Sequence, residues 1–237
     1  VQVNKWLMYF CLIAASSANA LAAGDDDFIA ARDAYRARDQ KQLDKLMPKL
    51  QGHVLEPYAQ YWQINNRIKE ASATEVRRFV TDYADTPLAE QLLGEWLRQQ
   101  GQQKNWEAFD SEFAKLKNPD TELNCFSLQA RMANKDADAL KEGRTFWLNG
   151  KSQPDSCQPV FDAMMTQRVI MAPDVWMRIR LALEAGQVSL ARRLNNNLPP
   201  NEMMNDKQLA AAYDTPQMLL DKNNFDYKSR GGREVAM

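Results

Sequence analysis

The chain has 237 residues, with 30 basic and 31 acidic side chains and a single histidine. This near-neutral balance argues against a nucleic-acid-binding protein, which would carry a basic patch or stripe. Glycine is scarce, and Ala, Leu, Gln, Glu, Lys and Arg are frequent, so the composition favours helix. The length is sufficient for one large domain or two small ones.

The first segment is typical of a secretory signal peptide. Lys5 is the only charged residue before Asp25, an apolar run covers residues 6–15, and small residues follow. Cleavage sites of the A-x-A type lie at 18–20 and 20–22, and we slightly prefer the second, which predicts a signal peptide at residues 1–22. The alternative is a retained membrane anchor, but the apolar run is short against the roughly 20 residues that a span needs.

Beyond the leader, no apolar run approaches membrane length. We therefore expect an exported chain with no membrane span after signal cleavage. That chain would keep 215 residues, with 29 basic and 31 acidic side chains.

Apolar residues along the rest of the chain recur at the i, i+3, i+4 spacing of amphipathic helices. Thr74 is predicted as a helix N-cap, Gly101 and Gly186 as helix ends, and Pro216 as an interruption. The periodic segments before residue 119 are 26–39, 41–50, 56–69, 74–83, 86–101 and 105–116. The next segment begins at residue 119 and contains 125–132. The segments after it are 136–148, 160–165, 173–186, 188–198 and 203–220.

About a dozen short helices with brief connections favour antiparallel pairs stacked in an α-solenoid, or superhelix. A strict 34-residue repeat is not found. The sequence therefore predicts an all-α fold, with an α-superhelical domain at 23–222.

Cys125 and Cys157 are the only cysteines outside the predicted leader, and they lie 32 positions apart. In an oxidising compartment two such thiols are expected to pair, and a loop of this length would contribute about 3–4 kcal/mol. The alternative is two unrelated buried thiols.

The sequence offers little for catalysis or metal binding. His53 lies in a turn without a partner nucleophile, which favours a solvated or cap-forming role. One histidine and the two cysteines outside the leader argue against a zinc site, which needs three or four ligands, and Gly231-Gly232 lacks the remainder of a phosphate loop. We predict no catalytic, cofactor-binding or metal-binding residue in this chain.

Acidic and aromatic residues also favour structural roles. Asp25 to Asp27 are typical of a solvated helix N-terminus, and Asp136 and Asp138 do not share a helix face. The tryptophans and tyrosines could line a sugar-stacking groove, but aromatic residues at helical spacing are more often core.

The segment Phe146-Trp-Leu-Asn-Gly-Lys-Ser-Gln-Pro-Asp-Ser-Cys157 resembles the N-terminal superhelical, U-shaped domain of the soluble lytic murein transglycosylases. The turn Gly-Lys-Ser-Gln-Pro followed by Cys is the most specific part. Further matches are Met47-Pro48 with Leu50, Leu55-Glu-Pro-Tyr58 with Tyr61 and Ile64, Arg178-Ile-Arg-Leu-Ala-Leu183 with Ala185-Gly186, and Ser229 to Met237. The resemblance implies that Cys157 pairs with Cys125.

It also implies a periplasmic, ring-forming helical domain without catalytic residues. In that family a separate lysozyme-like domain cleaves the MurNAc–GlcNAc β-1,4 bond and leaves a 1,6-anhydro product. Its marker segments Glu-Ser, Gly-Leu-Met-Gln and Ala-Tyr-Asn do not occur here. The expected partner is therefore peptidoglycan glycan strands, by way of a parent enzyme, with protein partners also possible.

The last fifteen residues, 223–237, are predicted to be a poorly ordered tail. Arg233 to Met237 is typical of the first turns of a further helix, which suggests a chain cut off before the catalytic domain; an ordinary frayed tail is the alternative. We also expect an exposed apolar edge near Leu209, Tyr213 and Leu219. A second hypothesis for the whole chain is a free-standing periplasmic helical-repeat adaptor that binds proteins.

Overall fold

The computed structural model describes residues 24–222 and 225–236. The predicted signal peptide, residues 223–224 and Met237 lie outside the described residues. Throughout those two ranges the secondary structure is helical, with turns and no β-strand. The chain divides into two compact units, 1–118 and 119–237.

The first unit contains α1 (24–36), α2 (Gln40–Leu46), α3 (Glu56–Asn66), α4 (Ala73–Asp82), α5 (Pro87–Gln102) and α6 (Trp106–Phe113), with a 3-10 turn at Met47–Lys49. α5 contacts α3, α4 and α6. Leu92, Trp96 and Leu97 of α5 are almost fully buried, at the spacing of one helix face. α5 is therefore the central helix of this unit.

The second unit contains α7 (Thr121–Ala133), α8 (Ala139–Trp147), α9 (Gln158–Thr166), α10 (Ala172–Glu184), α11 (Val188–Asn195), α12 (Asp206–Asp214), α13 (Pro216–Lys222) and α14 (Arg230–Ala236), with a 3-10 turn at Asp155–Cys157. Most of these helices pack chiefly on their neighbours in the chain, as α7 does on α8, α8 on α9 and α10 on α11, whereas α14 packs on α12. The prediction of an all-α fold of the α-solenoid class is confirmed.

Two predicted helix boundaries were wrong. α4 begins at Ala73, because the Ser72 hydroxyl, and not Thr74, accepts a hydrogen bond from the Glu75 N–H at 3.2 Å. Gly101 does not end α5 but is buried in its last turn, and the chain reverses at Lys104, whose φ is +57°. Gly186, with φ +69°, follows α10 as predicted.

The predicted apolar edge is only partly correct. Leu209 and Leu219 are buried, because α12 packs against both α13 and α14. Tyr213 is exposed, as are Met218 and Leu220 nearby. A helix is present at Arg230–Ala236, three residues earlier than predicted, and its Val235 is buried.

Candidate functional site

The turn that carries the most specific sequence match is held tightly against α7. The sulfur atoms of Cys125 and Cys157 are paired, with their Cα atoms 4.9 Å apart, which a disulfide spans without backbone movement. Beside them the Gln129 amide donates to the Ser156 carbonyl at 2.6 Å, and the Ser156 hydroxyl donates to the Glu122 carbonyl at 3.1 Å. The end of the turn is thus fixed by side chains as well as by sulfur.

The start of the same turn lies against α10. A Cβ atom at Gly150 would lie 2.3 Å from the carbonyl oxygen of Leu181, so only glycine fits this approach. The Asn149 side chain accepts a hydrogen bond from the Lys151 N–H at 2.8 Å and shapes the turn. Gly150 therefore brings the polar residues that follow it next to the helix that carries Arg178.

A pocket of about 540 Å³ opens between this turn and helices α8 to α11. Trp147 and Phe161 form its aromatic wall, with ring centroids 5.2 Å apart and planes nearly perpendicular. Arg178 and Arg193 also line it, and a further part of the lining is polar, supplied by Ser152, Gln153, Asp155, Gln158, Asn196 and Asn197. Its volume lies in the range of small-molecule sites.

Arg178 is the most unusual group in this pocket, because its charge is buried and no described residue provides a counter-ion. The residue is 3 % exposed, and its guanidinium carbon lies 4.4 Å from the Trp147 ring centroid and 4.8 Å from that of Phe161. Among the described residues its Nε finds no hydrogen-bond partner, and no carboxylate is among the groups that shift its pKa. Burial, and secondarily Arg193, lower the pKa of Arg178 to about 10.

In the sequence Arg178 stands out only as part of the family match, and its burial was not predicted. A signal was available, because Val175, Ile179 and Ala182 form the buried face of α10 and Arg178 falls on the same face. A charge within an apolar stripe indicates a buried ion, but it does not tell whether a protein group or a ligand compensates it.

The first unit contains a second buried charge, and this one is fully compensated. The Glu112 side chain is 2 % exposed and accepts from Arg77 Nε at 3.2 Å and from Lys115 Nζ at 2.6 Å. Burial by itself raises the pKa of Glu112, but the hydrogen bonds from Arg77 and Lys115 outweigh it, and the pKa falls below its usual value. Such a carboxylate stays ionised and is not a general acid.

Other polar groups also have structural roles. Glu95 accepts hydrogen bonds from the Tyr61 hydroxyl at 3.0 Å and from Asn65, and burial followed by the Glu95 charge raises the pKa of Tyr61. The pKa of Asp136 is lowered by the backbone N–H of Asp138 and by Arg131. The lowered pKa of Asp136 does not suit proton donation near neutral pH.

His53 lies in the turn before α3 and makes local contacts there. Its Nδ1 accepts from the Leu55 N–H at 3.1 Å at the start of α3, and its ring stacks on Phe28. Trp96, Trp147 and Trp176 are buried in the cores of their units. Within the described ranges no three His, Cys, Asp or Glu side chains cluster as metal ligands, and no helix is long and apolar enough to cross a membrane.

Comparison with known proteins gives one consistent result, although no family model matches the chain. The soluble lytic murein transglycosylase of Salmonella typhimurium is 26% identical over 200 residues, which are 84% of this chain and 30% of that protein. The protein of the same name from Escherichia coli K12 is 25% identical over 214 residues, 89% of this chain and 33% of its own length.

Solved structures of lytic transglycosylases are also similar to this chain. The 70-kDa soluble lytic transglycosylase of Escherichia coli superposes with a TM-score of 0.74 at 23% identity, over 91% of this chain and 35% of that chain. An inactive mutant of the lytic transglycosylase Slt from Pseudomonas aeruginosa gives a TM-score of 0.69 at 28% identity, over 88% and 34%. The resemblance found in the sequence is confirmed: most of this chain is similar to a stretch that makes up about one third of a soluble lytic murein transglycosylase.

Proposed function

We propose that this chain is the non-catalytic, N-terminal superhelical part of a peptidoglycan lytic transglycosylase. The observation that carries the proposal is the similarity over 84–89% of the chain to proteins of which it spans about a third. The parent enzyme would cleave the MurNAc–GlcNAc β-1,4 bond and form 1,6-anhydro-muropeptides. The part represented here would hold or position peptidoglycan and would be inactive alone.

The proposal includes export to the periplasm and oxidation of Cys125 and Cys157 there. Disulfides persist in the bacterial periplasm, and the paired sulfur atoms fit an oxidising compartment. Thiol titration under denaturing conditions, on protein purified from the periplasm, checks both points. We expect no free thiol before reduction, and two in each mature chain after it.

Two assays on the purified chain test the function. In a zymogram on embedded peptidoglycan we expect no clearing, and in a sedimentation assay we expect the chain to co-sediment with insoluble sacculi. Clearing by the isolated chain would contradict the non-catalytic role. Absence from the sacculus pellet, together with stoichiometric capture of a periplasmic protein, would favour the protein-binding adaptor.

A further inference from the structure

We propose that the pocket between the Gly150–Pro154 turn and α8 to α11 binds the free carboxylate of a short peptide, with Arg178 and Arg193 as the anion-binding residues. The choice of a peptide rests on the proposed function, since the peptide stems of peptidoglycan end in free carboxylates. The presence of an anion site does not depend on that function.

Arg178 carries a buried charge that no described residue compensates. An isolated buried charge is costly, and buried charges in proteins are paired or bound to a counter-ion. Stacking on Trp147 and Phe161 stabilises the cation through their ring faces, but the buried Nε–H still has no acceptor among the described residues. Because Arg178 lines the pocket, an acceptor inside the pocket can reach it.

A second cation faces the same pocket. Arg193 lines the pocket and donates to the Ser152 hydroxyl at 3.0 Å, and its charge acts on Arg178. Two like charges repel each other, and an anion bound between them offsets that repulsion. The preceding residue, Arg192, provides a contrast within the same helix, because it pairs with Asp206 at 3.0 Å.

The groups that line the pocket favour a carboxylate over phosphate as the bound anion. The planar guanidinium of arginine presents parallel N–H donors that match a carboxylate. Asp155 is the acidic residue of the described lining, and it would repel a multiply charged anion but accept a hydrogen bond from a peptide N–H. The amides of Gln153, Gln158 and Asn196 add donors and acceptors. A carboxylate with an adjacent amide meets these requirements better than phosphate does.

The test is a titration of the purified chain with N-acetyl-D-alanyl-D-alanine, followed by calorimetry and by thermal unfolding. Its C-terminal amide and inorganic phosphate are titrated in parallel. We expect the free acid to bind and to raise the melting temperature, with binding at least about tenfold weaker for the amide, which lacks one charge-assisted interaction.

Two variants locate the site, and a third is the matched control. Arg193→Gln is expected to weaken binding of the free acid about tenfold, and Arg178→Met by at least as much. Arg192→Gln removes an equally exposed charge one position away, outside the pocket, and is expected to bind like the wild type. Circular dichroism before titration verifies that each variant is folded.

Each outcome is decisive. No binding of any of the three compounds, or equal binding by the Arg193→Gln and Arg192→Gln variants, overturns the proposal. Phosphate that binds as well as the peptide, with the same loss in Arg193→Gln, retains an anion site and overturns the peptide as its occupant. Peptide binding without co-sedimentation on sacculi supports the pocket and contradicts the proposed function instead.

Discussion

Glu112 in the first unit and Arg178 in the second are both charged residues on the buried face of an amphipathic helix. Glu112 lies between two cations that reach it from the surface, whereas Arg178 lies between two aromatic rings and beside a second positive charge, Arg193. Glu112 has its counter-ions within the chain, whereas no anion from residues 24–222 or 225–236 pairs with Arg178. Burial of a charge therefore does not separate a structural ion from a ligand site; the partners of that charge do.

The largest effect that we expect concerns the covalent link beside the Arg178 pocket. Replacement of both Cys125 and Cys157 by serine should lower the free energy of unfolding by about 3–4 kcal/mol, because the unfolded chain is no longer closed into a loop. Urea denaturation followed by tryptophan fluorescence measures the change. An unaltered midpoint, together with free thiols in the oxidised wild type, would contradict the pairing.

Loss of the Glu112 charge should have the next largest effect on stability. Glu112→Gln keeps the shape of the side chain but weakens its hydrogen bonds from Arg77 and Lys115, so we expect a loss of about 1–3 kcal/mol. Glu107→Gln on the same helix changes an exposed carboxylate and is the matched control. Equal stabilities of the two variants would show that the Glu112 ion pairs contribute little.

The pH dependence of stability follows from the lowered pKa of Glu112. Because the folded-state value lies below the ordinary value of 4.5, the contribution is full above that pH and is lost as the pH falls through the folded-state pKa. The free energy of unfolding, measured by denaturation at several pH values between 3 and 6, should therefore change less with pH in Glu112→Gln than in the wild type. Parallel curves would remove Glu112 as a source of acid sensitivity.

Substitution of Arg178 should give the smallest change in stability, in contrast to substitution of Glu112. In buffer without the ligand, Arg178→Met should leave the free energy of unfolding within about 1 kcal/mol of wild type, or raise it, because an unpaired buried charge is removed. Chemical denaturation in a chloride buffer measures it. A loss as large as that of Glu112→Gln would show that Arg178 is satisfied within the chain.

Much of the helical fold can be predicted from the sequence, because local signals define it. Pro57, Pro87 and Pro216 lie in the first turns of α3, α5 and α13, and the apolar spacing of each segment identifies its buried face. Errors arose where two local signals compete, as at Thr74, where the neighbouring Ser72 is the cap.

The pocket could not be predicted in the same way. It requires Gly150 to approach Leu181, and it combines residues of four helices with a turn, so its existence depends on tertiary packing. The cation at Arg178 was visible in the sequence, but an arginine on a helix usually extends its charge into water. Only the packed structure shows that this guanidinium is enclosed by Trp147 and Phe161.

A crystal structure of the chain with N-acetyl-D-alanyl-D-alanine tests most directly whether a ligand supplies the anion that pairs with Arg178. We expect the peptide carboxylate in the pocket, accepting hydrogen bonds from Arg178 and Arg193 at about 2.7–2.9 Å, with the aromatic wall unmoved. An empty pocket in which the Asp155 carboxylate pairs with Arg178 would show that the chain supplies its own anion, and it would contradict the account.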